Sequence, residues 1–182
     1  MPGVEDESFS RSVVYLCEHS ERGALGLIIN KPMPLSLEGL LDKIDLSLGR
    51  EDLRSDVVYR GGPVQTDRGF VLHDAFVAEG IATDESIYAS TMSIPGGLEM
   101  TTSKDVLEAL SNGAGPRRVF VSLGYSSWGE GQLESELSEN AWLTVGADVA
   151  LIFEAPVAER YDRALGLLGL QSWTLSPEVG HA

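Results

Sequence analysis

The stretch from Val119 to Leu143, VFVSLGYSSWGEGQLESELSENAWL, is the key to the class of fold. Val119 to Leu123 is apolar apart from one serine, which suits a strand covered on both faces and therefore a central one. Gly124 to Trp128 reads as the turn out of that strand. Glu130 to Glu139 then reads as an acidic helix whose Leu133 and Leu137, spaced i and i+4, face inward. Trp142 to Val145 and Val149 to Phe153 return to strand character.

Upstream, Ser12 to Cys17 alternates beside a second apolar run, Ala24 to Ile29. The Ser20-Glu21-Arg22-Gly23 link between them has turn chemistry, so the two runs predict a hairpin. After Pro32 and Pro34, Ser36 is placed to cap a short helix with Leu37, Leu40, Leu41 and Ile44 at helical spacing. Val57 to Arg60 and Gly69 to Leu72 read as strands around Gly61-Gly62-Pro63. Ser86 to Ser90 and Leu98 to Thr101 read as two more around Pro95-Gly96-Gly97. Thr102 or Ser103 is placed to cap the following helix, Asp105 suits its positive end and Gly113 its stop. The last helix is expected over Val157 to Leu168, with Val157, Tyr161, Leu165 and Leu168 inward. Hairpins mixed with single helices, without a steady βαβ rhythm, predict an α+β fold with a mixed sheet. No linker or repeat divides residues 1–182, which predicts a single domain.

At 182 residues the chain is long enough to bury about 70% of its unfolded surface. Its 43% hydrophobic and 23% charged residues are those of a globular protein. Acid dominates: 28 acidic against 13 basic residues give a formal net charge of -15. Such a field opposes phosphate at long range, and the dispersed basic residues form no stripe, so neither direct nucleic-acid binding nor docking on an anionic membrane is expected. A basic protein partner is the natural complement. The lone Cys17 rules out an internal disulfide framework, and the N-terminus lacks the pattern of a secretory signal, so a cytoplasmic setting is expected.

Several residues invite a chemical reading. Cys17 and His19 lie two apart, so an unbroken strand puts both on one face as an imaginable nucleophilic pair, although cysteine is among the most buried residue types. Ser126 sits where a G-x-S-x-G elbow would place a nucleophile, but Trp128 replaces the second glycine, whose smallness that turn needs. A hydrolase using Cys17 or Ser126 with His19 or His73 is the alternative reading. The three histidines lack metal-ligand spacing, and neither glycine-rich segment has the pattern of a phosphate loop, so no metal or cofactor is expected. The remaining polar residues beside glycines or apolar strands are Asn30, Lys31, Arg68, His73, Tyr125, Trp128 and Gln132, the expected binding residues. Trp128 is expected to be partly exposed and Trp142, at the start of an apolar run, to be buried.

Four segments together carry a resemblance: GALGLIINKP (Gly23 to Pro32), GGPVQTDRGFVLH (Gly61 to His73), LEMTTSKDVLEAL (Leu98 to Leu110) and GYSSWGEGQLESELSENAWL (Gly124 to Leu143). The chain resembles the YqgE/AlgH family of bacterial proteins almost end to end. The resemblance implies a strongly coiled, partly barrel-like sheet flanked by helices. It also implies a regulatory or adaptor role without catalysis, because one member is described as a candidate transcriptional regulator of alginate synthesis. Members commonly carry a small non-nucleophilic residue at the position of Ser126. They also carry a short apolar segment before the Met-Pro that opens this chain, so a missing edge strand or a misassigned start is expected here.

Overall fold

The computed structural model describes residues 9–75, 77–78, 81–82, 87–172 and 175. The predicted hairpin forms: β1 (Val14–Ser20) runs antiparallel to β2 (Gly23–Ile28). The next element departs from expectation, because Pro32–Ser36 is a strand, β3, on the edge of the sheet. An edge tolerates Pro32 and Pro34, since a missing N–H there leaves no inner ladder bond unmade. Ser36 then caps α1 (Leu37–Asp42), its hydroxyl accepting from the Gly39 N–H at 3.0 Å.

Next come β4 (Val57–Arg60), the long β5 (Val64–Asp74), the short pair β6 (Val77–Ala78) and β7 (Ile81–Ala82), then β8 (Thr91–Ile94) and β9 (Leu98–Thr101). The strand expected over Ser86 to Ser90 is displaced: Ser86 lies outside the described residues, Ile87 to Ser90 bends, and β8 follows. The tight Pro95-Gly96-Gly97 turn pairs the residues that directly flank it, Ile94 with Leu98, and so sets the register. α2 (Asp105–Ser111) is not capped by Thr102 or Ser103. The Ser103 hydroxyl instead donates to the Ala89 carbonyl, while the Asp105 carboxylate accepts from the Ala89 and Val106 amides. Gly113, at φ +76°, ends the helix as expected; its N–H reaches the Leu110 carbonyl and that of Ala114 reaches Ala109, the paired bonds of a Schellman stop.

β10 (Val119–Trp128) is central, as its apolar start predicts, but it does not end at Gly124. Gly124, at φ +74°, lets the strand bend and continue. A side chain there would lie 2.5 Å from the Gly62 carbonyl oxygen, so backbone crosses backbone at this point. Before the bend β10 pairs with β5 on one edge and, in parallel, with β4 on the other; beyond it, Ser126–Trp128 pairs with β2. The resulting eight-stranded sheet follows the order β1-β2-β10-β5-β9-β8, with β4 attached beside β10 and β3 beyond β4. It is mixed, mostly antiparallel and nearly closed. The gap between its end strands is crossed by Tyr15, whose hydroxyl donates to the Pro95 carbonyl at 2.5 Å.

α3 (Gln132–Ser138) follows β10, and α4 (Ala150–Phe153) and α5 (Arg160–Gly166) complete the five α-helices seen among the described residues of the α+β fold. Two expected strands are absent: Trp142 to Val145 is irregular and the region of Val149 to Phe153 carries α4. Short apolar runs do not distinguish strand from buried helix, and both edges of β10 are already paired. The last helix is shorter than expected, with a 3₁₀ turn at Val157–Glu159 and Leu168 exposed. Arg160 takes a buried place, its Nε donating to the Ala155 carbonyl at 3.1 Å and its Nη1 to that of Ile29, over the Tyr59 ring.

The alternation of β5 and β10 divides the core. Phe70, Leu72 and Phe120 face one cluster with Tyr15, Leu27 and Leu151. Val71, Val119 and Val121 face another, under Leu37 and Leu41 of α1 and Val106 and Leu110 of α2. A third, smaller cluster joins Ala24, Trp128 and Leu133 to Val14, Leu16, Leu137 and Trp142.

Candidate functional site

The third cluster borders a groove of about 510 Å³. Its floor is β1, its walls include Leu133 and Leu137 of α3 and Ala164 and Leu165 of α5, and the irregular segment Trp142 to Asp148 runs along it. A sealed void of that size would cost ~12 kcal/mol at ~24 cal/mol per Å³, as much as a whole domain's stability. The space is therefore a feature open to solvent or to a ligand. Leu143, Val145 and Leu168, exposed by 41, 37 and 38%, stand at its mouth.

Four of the polar side chains on its wall are committed to partners. Ser12 donates to the Phe9 carbonyl at 2.7 Å, Tyr15 is bonded to Pro95, Asp148 accepts from the Ala150 N–H, and His19 meets Glu134 at 2.5 Å. With these groups satisfied, the groove offers apolar area, and burial of apolar surface is what it rewards.

One carboxylate organises the neighbouring aromatic cluster. Glu136 Oε2 accepts from the indoles of Trp128 at 3.0 Å and Trp142 at 2.6 Å, while its Oε1 accepts from the Gln132 amide at 3.0 Å. Burial pushes the Glu136 carboxyl up, yet the donors Trp142, Gln132 and Trp128 together bring it below the ordinary glutamate value. Trp128 and Trp142 meet edge to face at 5.6 Å, with Phe9 against both. The expected exposures are reversed: Trp128 is buried at 6%, because strand β10 carries it beneath α3, and Trp142, outside any strand, is the more exposed.

The other expected binding residues are spread over the molecule. The Asn30 side chain accepts from the Val13 N–H and donates to the Arg11 carbonyl, both at 2.8 Å, and Lys31 donates to the Ser10 carbonyl at 2.7 Å. They fasten the segment that leads into β1. Arg68 bonds Gln65 and Thr102, and Tyr125 packs on Phe70. His73 is 1% exposed at the far end of β5, between the Thr101 hydroxyl at 2.8 Å and the Asp74 carbonyl at 2.9 Å. Gln132 braces the start of α3, accepting from the Gly129 N–H at 3.0 Å. Of the seven, Trp128 alone lines the groove.

The nucleophile candidates lose their geometry. A β-bulge between Leu16 and Glu18 separates Cys17, 3% exposed, from His19. Burial pushes the Cys17 thiol up to about 12, away from a reactive thiolate. Ser126 lies within β10 rather than on an elbow, fully buried and donating to the Gly61 carbonyl at 3.2 Å. Among the described residues no group of three His, Cys, Asp or Glu side chains is arranged to hold a metal ion. No helix among them is long and apolar enough to cross a membrane.

The AlgH-like family model matches residues 1–173. The chain belongs to the AlgH-like family. It is 80% identical over 182 residues to the UPF0301 protein of Acidovorax ebreus and 78% identical to that of Delftia acidovorans, covering all of this chain and 92% of each relative. The solution structure of the AlgH protein from Pseudomonas aeruginosa is 44% identical, with a TM-score of 0.76 over all of this chain and 92% of that one. A crystal structure from Corynebacterium diphtheriae, at 20% identity, shares the fold with a TM-score of 0.67 over 90% of this chain and 81% of that one.

In this AlgH-like chain, the groove residues that sequence reasoning missed are Leu143, Val145, Leu151 and Leu168. The available signal was the mainly apolar run Trp142 to Val145 ending in Gly146-Ala147-Asp148; that it has no strand after it to pair with is seen only in the structure, where α4 replaces the expected strand.

Proposed function

We propose that this chain is a regulatory or adaptor protein that acts by binding a partner protein, and that its docking surface is the groove between β1, α3 and α5. The reading is carried by about 510 Å³ of largely apolar space on whose wall Ser12, Tyr15, His19 and Asp148 are already paired, an arrangement suited to holding a ligand. The burial of Cys17 and Ser126 speaks against the hydrolase reading that uses them. The net charge of -15 speaks against direct DNA contact, so any effect on transcription passes through the partner, and a basic partner suits the field. The regulatory label rests on family resemblance, and a cytoplasmic site of action accords with it.

A photo-crosslinking side chain placed at Leu143 or Leu168 in the native host tests the proposal. Both sites should give a discrete adduct that Leu137→Arg abolishes, whereas the same group at exposed Arg54 should not. Adducts that are identical at all three positions, or that persist in the Leu137→Arg variant, would overturn it.

A further inference from the structure

A titratable ring lies buried in the sheet, away from the groove. Each ring nitrogen of His73 meets one oxygen: Nδ1 the Asp74 carbonyl at 2.9 Å and Nε2 the Thr101 hydroxyl at 2.8 Å. A carbonyl only accepts, so Nδ1 keeps its proton in either charge state, and the proton that comes and goes is the one on Nε2. Thr101 is fully buried and passes the contact on. Its hydroxyl meets that of Thr91, its partner across the β8–β9 ladder, at 2.6 Å, and the Thr91 hydroxyl meets the Tyr88 carbonyl at 2.9 Å. That last oxygen belongs to the bend Ile87 to Ser90, which leads into β8.

Each hydroxyl has a single proton to give. With a proton on Nε2, the ring donates to Thr101, Thr101 to Thr91 and Thr91 to Tyr88, and all three contacts are hydrogen bonds. Without it, Thr101 must turn to donate to Nε2 and Thr91 to donate to Thr101, so the Tyr88 carbonyl loses its donor. A neutral ring with Thr91 still bound to Tyr88 leaves either the ring or the 2.6 Å contact between the hydroxyls without a proton. We infer that this chain is a pH-sensitive switch: one proton on Nε2 of His73 sets the direction of two threonine hydroxyls and thereby makes or breaks the hold on the Tyr88 carbonyl. The hold is present at lower pH and is lost as pH rises through the titration of the ring.

Among the described residues, the charged neighbours come from four elements. Glu99 of β9 lies opposite His73, its carboxylate 3.9 Å from Nδ1, and is the counter-charge for the protonated ring. On β10 the facing residue is Val119; Arg118 before it is engaged by Asp74 at 2.6 Å and by Glu154, just past α4, at 3.8 Å. Ahead of β8, the Tyr88 ring stands edge to face with the imidazole at 5.6 Å, its phenol pushed up by burial and then by the carboxylates of Asp105 and Glu99. At the start of α2, Asp105 accepts from the Ala89 N–H at 2.7 Å, while Lys104 and Glu108 pair with each other at 4.0 Å. The bend keeps further holds, from Ser103 to the Ala89 carbonyl and from the Thr102 N–H to that of Ser90. The switch therefore loosens the bend at Tyr88 and does not detach it.

The test is a pH titration of the isotopically labelled 182-residue chain by NMR, over the range in which it stays folded, reading the His73 ring nitrogens and the Tyr88 carbonyl carbon together. The two signals should move with one shared midpoint. Above it, exchange of the Ala89 amide, corrected for its intrinsic pH dependence, should be roughly two- to tenfold faster, the worth of one neutral hydrogen bond. Thr91→Val should leave the ring titrating while the Tyr88 signal no longer follows it, and Thr91→Ser should restore the coupling. Glu99→Gln should move the shared midpoint to lower pH with the coupling intact, because the counter-charge is gone. A ring that titrates while Tyr88 stays still, a ring that does not titrate at all, or coupling that survives in Thr91→Val would each overturn the switch. The wild-type titration decides alone if a variant fails to fold.

Discussion

Glu136 shows how one side chain can hold a region together: three donors converge on its carboxylate, and two of them are indoles. Glu136→Gln keeps the shape and an oxygen for the two indoles but removes the charge and sets its own NH2 against the donating Gln132 amide, so it should cost about 1–3 kcal/mol in a denaturant titration and shift tryptophan emission. Its folded pKa is depressed, so its contribution is present above the unfolded glutamate value and is lost as pH falls through the lower folded value. The acid limb of the stability profile should therefore flatten in Glu136→Gln; an unchanged limb would remove Glu136 from that role. Cys17 gives a second check at this scale. With its thiol pushed up to about 12, alkylation near neutral pH should be slow in the native protein and fast only after denaturation.

Among the elements, β10 carries the architecture, and Gly124 is what allows one strand to serve β5 and β4 before the bend and β2 after it. Gly124→Ala puts a methyl against the Gly62 and Val64 carbonyl oxygens at a positive φ, which should destabilise the fold by at least ~2 kcal/mol. A change below ~0.5 kcal/mol in the chemical melt would mean that the bend relaxes freely. At the end of the same strand, Trp128→Ala removes a buried indole and should cost about 3–5 kcal/mol. Trp142→Ala, on an irregular segment, should cost less and perturb groove binding more. The opposite ranking of the two melts and titrations would return the docking role to Trp128.

For the whole molecule the governing quantity is charge. With 28 acids against 13 bases, labelled duplex DNA should show no anisotropy rise even at low salt; tight binding that weakens linearly with log salt would contradict this. The same excess makes cationic partners approach faster than neutral ones, an advantage that salt should erase.

The amino-acid sequence by itself determined what local pattern and total charge can determine. The β1–β2 hairpin, the Ser36 cap, the Gly113 stop, the inward Leu133 and the central place of Val119 to Leu123 follow from periodicity and turn chemistry, which act within a few residues. The α+β class was legible for the same reason, and the family through the resemblance carried by four segments of the sequence. Only the tertiary structure decided matters that depend on which edge is free. Trp142 to Val145 has strand-like residues but pairs with no described strand, both edges of β10 being taken, while Pro32–Ser36 has poor strand residues but the edge of β4 beside it, so it becomes a strand. Long-range placement also buried Cys17, His73 and Ser126 and scattered most of the expected binding residues. The groove could not be read in advance because its floor and walls come from β1, α3 and α5, brought together only by packing around one sheet edge.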